Sequence, residues 1–245
     1  MLHHVGNGEV FKSLEPYSIT TRKFIELLDF IEYERFETIT FQDYRLFNLK
    51  KKVVITFDDC SRELLVNAVP ELVKRNMKAV FFIPTNFIGG KNDWDITEGK
   101  EELQFFSEED IKYLSSFENF EIGSHSHFHK KMDELTEKEI QFEFSHSKKI
   151  IERITEKSVI SFAYPFGRFS NSSQKIIKEM NYRFGLGIYV PYENKRLLRR
   201  FIYHNNDTYN NNYTIMIIIM IIIIIIIIII IIIIIIIIII IIIII

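Results

Sequence analysis

An α/β fold on a parallel sheet, open or closed into a barrel, is predicted by three observations. Short apolar runs rich in β-branched and aromatic residues alternate with amphipathic stretches at helical spacing through residues 1–214. No internal repeat and no Gly-, Ser- or Pro-rich linker interrupts them, so this stretch reads as one domain. The residues that look out of place, paired acids, clustered histidines and an aromatic-proline turn, fall where apolar runs end. In parallel α/β folds those C-terminal strand ends carry the chemistry.

Each element has its own local reason. Thr21 to Phe36 places Phe24, Leu27, Leu28 and Ile31 at helical spacing. Val53-Val54-Ile55-Thr56-Phe57 is a β-branched run that stops at two acids and predicts a strand. Ser61 to Met77 returns to helical spacing, with a break expected at Pro70, which lacks an amide hydrogen and crowds the preceding turn. Ala79-Val80-Phe81-Phe82-Ile83 predicts a second strand, stopped by Pro84. Ser107 with Asp110 has the spacing of a capping box opening a helix to about Phe117, and Thr136 with Glu139 opens another to about Ile154. Between them Phe120-Glu121-Ile122-Gly123 is a short strand. Val159 to Tyr164 predicts a strand ending at Pro165, Ser173 to Met180 a last helix, and Tyr182 to Ile188 a last strand.

Composition excludes several classes. The 30 basic and 32 acidic residues give a net charge of −2 and are interspersed, so neither a nucleic-acid surface nor a polybasic membrane patch is indicated. The single cysteine, Cys60, forms no internal disulfide. No signal peptide is readable after Met1, which leaves the localisation open. The 48% hydrophobic content is inflated by residues 215–245, which are Ile throughout apart from Met216 and Met220. Without that block roughly 41% is apolar, an ordinary soluble composition. The expected organisation is a domain over 1–208, an Asn-rich low-complexity link over 209–214 and the poly-Ile tail over 215–245. The tail is long enough to cross a bilayer as a helix. Its near-uniform composition favours a read-through or frameshift of a repeat over a real membrane anchor, and membrane association is expected only if the tail is real.

Three strand ends supply candidate chemistry. Thr56-Phe57-Asp58-Asp59 sets two carboxylates where a strand meets a loop; taken alone, such a pair is ordinarily a solvated turn. Gly123-Ser124-His125-Ser126-His127-Phe128-His129 holds three of the seven histidines. Imidazoles four residues apart on a tight turn can reach one cation, so His125 and His129 with one Asp form a catalytic metal pattern with open positions. A histidine cluster without an ion is the alternative, and His127 alternates away from the shared side. Phe162-Ala163-Tyr164-Pro165-Phe166-Gly167-Arg168 forms a tight turn that could present the Phe166 amide to an oxyanion, with Tyr164 and Phe166 as apolar faces.

The order of these parts resembles the polysaccharide deacetylase family, the metal-dependent carbohydrate esterases with a NodB-type domain. Thr56 to Asp59 resembles its T-F-D-D-G motif, His125, Ser126 and His129 its H-[ST]-x-x-H motif, and Tyr164 to Gly167 its Tyr-Pro-[Tyr/Phe]-Gly turn. The resemblance covers residues 1 to about 208. It implies a distorted, incomplete (β/α) barrel and an enzyme that removes acetyl groups from an N-acetylated glycan, its expected partner. It further implies a divalent ion, usually zinc and otherwise cobalt, nickel or iron, held by Asp59, His125 and His129. That ion would polarise the acetyl carbonyl and acidify water, with Asp58 as general base.

Some positions depart from the pattern. Leu2-His3-His4-Val5 resembles the Tyr-His-x-Val opening of the permuted poly-N-acetylglucosamine deacetylase branch and makes His3 the candidate general acid; a disordered N-terminal histidine pair is the alternative. His204 is the one late histidine, without a good motif around it. Arg200 resembles a late Leu-x-Arg element that would orient Asp58, against a plain surface arginine. Cys60 replaces the motif's glycine, so it could strain the loop or place a thiolate on the metal, which leaves a catalytically impaired glycan-binding homologue as the alternative function. Trp94 could stack on a sugar or simply pack.

Overall fold

Six parallel strands are what the alternating pattern produces, and they curl into an incomplete barrel in the computed structural model of the chain. The structure describes residues 1–7, 14–15, 17–43, 51–92 and 102–207. Trp94, the Asn-rich link and the poly-Ile tail lie outside them. The strands are β1 (Ile55–Phe57), β2 (Ala79–Ile83), β3 (Phe120–Ser124), β4 (Ser161–Ala163), β5 (Phe184–Gly187) and β6 (Leu198–Arg199). They lie side by side in chain order, each parallel to the next. Met1–Asn205 form one compact unit.

Alternation along the strands divides the core in two. Phe81, Ile83, Phe120, Ile122 and Phe162 face the helices, while Val80, Phe82, Ala163, Phe184 and Leu186 meet Phe41 inside the barrel. Burial on both faces explains why these strands read as continuous apolar runs. The interior is tight: a Cβ on Gly123 would lie 2.4 Å from a Phe82 ring carbon and 2.8 Å from Ser161 Oγ, so only glycine fits. An ionisable side chain, Glu121, sits there, accepting from Ser161 Oγ at 2.6 Å and the Gln42 amide at 3.0 Å. Burial pushes its pKa up.

The helices are α1 (Thr21–Tyr33), α2 (Leu64–Asn67), α3 (Val69–Lys74), α4 (Glu108–Ser115), α5 (Glu137–Thr155) and α6 (Asn171–Glu179). Both expected capping boxes form, at Ser107 with Asp110 and at Thr136 with Glu139. A third, Ser170 with Ser173, starts α6 two residues earlier than its periodicity predicts. The helix expected from Ser61 to Met77 breaks at Ala68, because Pro70 is accommodated in the first turn of a new helix. The run from Val53 also divides: Lys52–Val53 pairs with Glu37–Thr38, and Ile55–Phe57 joins the main sheet.

The N-terminal segment lies along the free edge of β1. Leu2 donates to Thr56 O at 2.8 Å and accepts from the Asp58 amide at 2.9 Å, while Met1 O accepts from the Tyr203 amide at 3.2 Å. Residues 1–2 thus bridge β1 to the chain that follows β6. His3 and His4 are carried to the barrel mouth, and the disordered-pair alternative does not hold.

Candidate active site

The acids, histidines and turn converge at the C-terminal ends of β1, β3 and β4. They line one cavity of about 330 Å³ that includes His3, Asp58, Asp59, His125, His129 and Phe166. The backbone is unusual there. Asp59, Cys60, Ser126, His129 and Phe166 all have φ between 53° and 68°, a region costing about 1–2 kcal/mol for a residue with a side chain. These residues belong to the three candidate motifs, so local strain is concentrated where the side chains are aimed.

One face of the cavity is a ligand set. Donor atoms of Asp59, His125 and His129 lie within 4.8 Å of one another. Asp59 Oδ1 is 3.4 Å from His125 Nε2 and 3.3 Å from His129 Nε2, is buried, and makes no hydrogen bond. His125 Nδ1 sits 2.8 Å from Ala163 O; a carbonyl only accepts, so Nδ1 carries the proton and Nε2 offers its lone pair to the cavity. Burial, reinforced by His129 and Arg200, outweighs the nearby carboxylates and lowers the His125 pKa, favouring the neutral ring that metal binding needs. Burial alone would raise the Asp59 pKa, but His129, His125 and His3 hold it well below the carboxylate range. Two ring nitrogens and an orphaned carboxylate oxygen suit a zinc-like ion with open positions.

Beside it, with Oδ2 3.7 Å from His125 Nε2, Asp58 is fixed by Arg200. Nη1 and Nη2 of Arg200 donate to its two oxygens at 2.6 and 2.8 Å, with both side chains buried. Burial acts to raise the Asp58 pKa, yet Arg200 and His125 together bring it below its ordinary value. The surface-arginine alternative is thereby overturned. His3 packs edge-on to Tyr17 at 5.1 Å, and burial lowers its pKa to about 4 against the pull of Asp59 and Asp58.

The turn contributes less than its sequence suggested. Phe166 lies beside the His129 ring at 4.7 Å, and Gly167 is packed so that a Cβ would meet Ile188 at 3.0 Å. Tyr164, expected to offer an apolar face to substrate, is instead fully buried against Phe144 and Phe162, its hydroxyl donating to Arg196 O at 3.2 Å. It is a core residue, because it follows β4 on the helix side. Cys60 also differs from expectation. Its thiol turns inward to Phe57 O and Phe82 O, at 3.6 and 3.4 Å, and burial pushes its pKa well above normal. A protonated thiol facing the core is no metal ligand.

Glu143 was missed by sequence reasoning. From α5 its buried carboxylate accepts from the amides of His127 and Phe128 at 2.7 and 2.9 Å, clamping the loop between the two ligand histidines. Its spacing was the available signal, since it shares the buried stripe of Ile140, Phe144, Ser147 and Ile151. His127, which alternates away from the shared side, is buried and hydrogen-bonded with Thr85 Oγ1 at 2.9 Å.

Comparison with known proteins agrees with this fold. The sequence model of the polysaccharide deacetylase family matches residues 48–185, more than half of the chain. The poly-beta-1,6-N-acetyl-D-glucosamine N-deacetylase of Staphylococcus aureus (strain MSSA476) is 23% identical over 190 residues, 72% of this chain and 63% of that protein. The chain spans 62% to 63% of the length of the curated relatives it matches. Among solved structures, Streptococcus pyogenes deacetylase PplD in complex with acetate gives a TM-score of 0.73 at 18% identity, covering 87% of this chain and 95% of that one. A polysaccharide deacetylase from Bacillus cereus gives 0.70 at 19% identity, covering 87% and 67%. Both share the curled parallel sheet. The match through the strands that carry the acid pair, the histidines and the aromatic-proline turn shows that this chain belongs to the polysaccharide deacetylase family.

Proposed function

We propose that the chain is a metal-dependent hydrolase that removes acetyl groups from an N-acetylated glycan, poly-N-acetylglucosamine being the class its Staphylococcus aureus relative is named for. The observation that carries this reading is the meeting, in one cavity, of the Asp59, His125 and His129 donor set with an Arg200-clamped Asp58 and with His3. A divalent ion held by those three residues, zinc in the first instance, would supply Lewis acidity toward the acetyl carbonyl and make water easier to deprotonate.

The chain's own groups do the rest. Asp58 is ionised at neutral pH, and its paired bonds to Arg200 fix the direction from which it takes the proton of the attacking water. The Phe166 amide donates to the developing oxyanion. His3 is neutral above about pH 4, so the proton it gives to the leaving nitrogen is one received during turnover. The glycan-binding alternative rested on Cys60 and on the unsettled general acid; the inward thiol takes away metal ligation by Cys60, while its left-handed backbone keeps the strained loop. Membrane tethering gains no support: among the described residues no helix is long and apolar enough to cross a membrane.

The test is acetate release from N-acetylglucosamine oligomers by the purified, zinc-loaded chain. Release that stops on chelation and returns with zinc supports the reading; no release, with zinc bound, sinks it.

A further inference from the structure

His127 stands between the two ligand histidines in sequence, yet His125 and His129 line the catalytic cavity while His127 turns the other way, to α5. There it meets His146. The two rings are 4.5 Å apart, centre to centre, and inclined at 77°, close to the 4.9 Å and 59° of the His125 and His129 pair. That spacing suits one ion. With metal–nitrogen bonds of about 2.0 Å and an angle at the metal between a right angle and the tetrahedral one, two imidazole centres fall about 4.5–5 Å apart.

Both rings are held as ligands are held. His127 Nδ1 lies 2.9 Å from Thr85 Oγ1, a hydroxyl that can accept from Nδ1–H and leave the Nε2 lone pair free, as Ala163 O does for His125. His146 stacks on Phe142, four residues earlier on α5, at 4.8 Å and 14°, and Phe142 stacks in turn on Phe128 at 6.0 Å and 16°. Among the described residues no hydrogen bond engages the His146 ring. Phe128 and Phe142 are 40% and 44% exposed and His146 is partly exposed, so an ion can reach the pair from solvent.

We propose that His127 and His146 form a second metal site, which binds a borderline divalent ion such as zinc outside the catalytic cavity. Imidazole suits such ions, and Thr85 supplies the outer partner that orients a ligating ring. With two protein donors and water completing the shell, the site is weaker than the Asp59, His125 and His129 set and fills after it. An ion here ties the ligand loop to α5, alongside the bonds that Glu143 accepts from the His127 and Phe128 amides. The site stands apart from the deacetylase reading.

The experiment dialyses the metal-free full chain against zinc, at one equivalent and in excess, and counts bound zinc by plasma mass spectrometry. Wild type should hold one zinc at one equivalent and two in excess. In excess, His146→Ala and His125→Ala should each hold one, and the double variant none. The melting temperature of wild type should rise by about 3–6 °C as free zinc reaches tenfold over the second dissociation constant, and His146→Ala should lack this rise. Alanine favours the helix at that position, and His146→Phe, which keeps the stack on Phe142, should give the same counts. A zinc count in excess that both His146 variants leave unchanged overturns the site. If the catalytic trio binds no zinc, wild type holds a single ion that His125→Ala leaves and His146→Ala removes; the second site then stands while the deacetylase reading falls.

Discussion

Replacing Arg200 by methionine removes the guanidinium that holds both oxygens of Asp58, and the outcome depends on pH in a calculable way. Asp58 is 2% exposed, and its two bonds to Arg200 are 2.6 and 2.8 Å. Breaking a buried pair by deleting one partner costs about 3–5 kcal/mol while the remaining charge stays ionised. The sign follows from Asp58's depressed pKa. A depressed carboxylate contributes stability above its unfolded value, near 3.9, and loses it as pH falls through the folded value. Without Arg200 burial dominates and the folded pKa rises above the unfolded one, so the penalty grows as pH climbs past it. The stability gap between Arg200→Met and wild type should therefore be about 3–5 kcal/mol at pH 8. It should shrink toward pH 4 by up to about 1.4 kcal/mol for each pH unit below the new pKa. Urea denaturation of the metal-free protein from pH 4 to pH 8 measures this directly. Arg200→Lys should recover only part of the loss, since an ammonium cannot reproduce the two-pronged geometry. A gap below 1 kcal/mol at pH 8, or one independent of pH, would refute the buried-clamp account.

Other sites give shorter tests. Glu143→Ala strands two amides of the histidine loop and should cost about 2–4 kcal/mol in urea denaturation. Because it loosens the ligand loop, zinc affinity measured against a chromophoric chelator should fall about 10- to 100-fold, whereas an unchanged affinity would make Glu143 purely structural. Cys60→Gly relieves about 1–2 kcal/mol at a φ of 62° but gives up a small buried side chain. Its stability should stay within about 1 kcal/mol of wild type with zinc affinity unchanged; a shift in zinc affinity would return the thiol to the metal site. Glu121 has a raised folded pKa, so its contribution is complete below its unfolded value, near 4.3, and is lost as pH rises through the folded one. Glu121→Gln should accordingly raise the melting temperature at pH 8 more than at pH 4, and an equal effect at both would contradict burial as the cause.

Features written in short-range chemistry were legible in the sequence. The capping boxes at Ser107 and Thr136 need only residues three apart, and strand ends such as Thr56 to Asp59 and Gly123 to His129 carry their own abrupt change of polarity. What local patterning could not give depends on distant partners. Leu2 lies against Thr56 and Asp58, so the barrel-edge bridge has no local signature. Arg200 meets Asp58 across 142 positions, so the clamp was legible only through the resemblance of its Leu-x-Arg element. Tyr164 shows the converse failure. Its motif suggested substrate contact, but a one-residue step past β4 turned the ring to the helix side, where Phe144 and Phe162 cover it. Cys60 misled for the same reason, its left-handed backbone sending the thiol into the core instead of toward Asp59.

Dividing the acid pair into a ligand and a base is the centre of the account, and zinc content measured alongside acetate release tests it most directly. Wild type should bind one zinc and release acetate from N-acetylglucosamine oligomers; Asp58→Asn should keep the zinc and lose turnover at least about 100-fold, and His125→Ala should lose the zinc itself. Equal zinc loss in the two variants, or full turnover by Asp58→Asn, would contradict it.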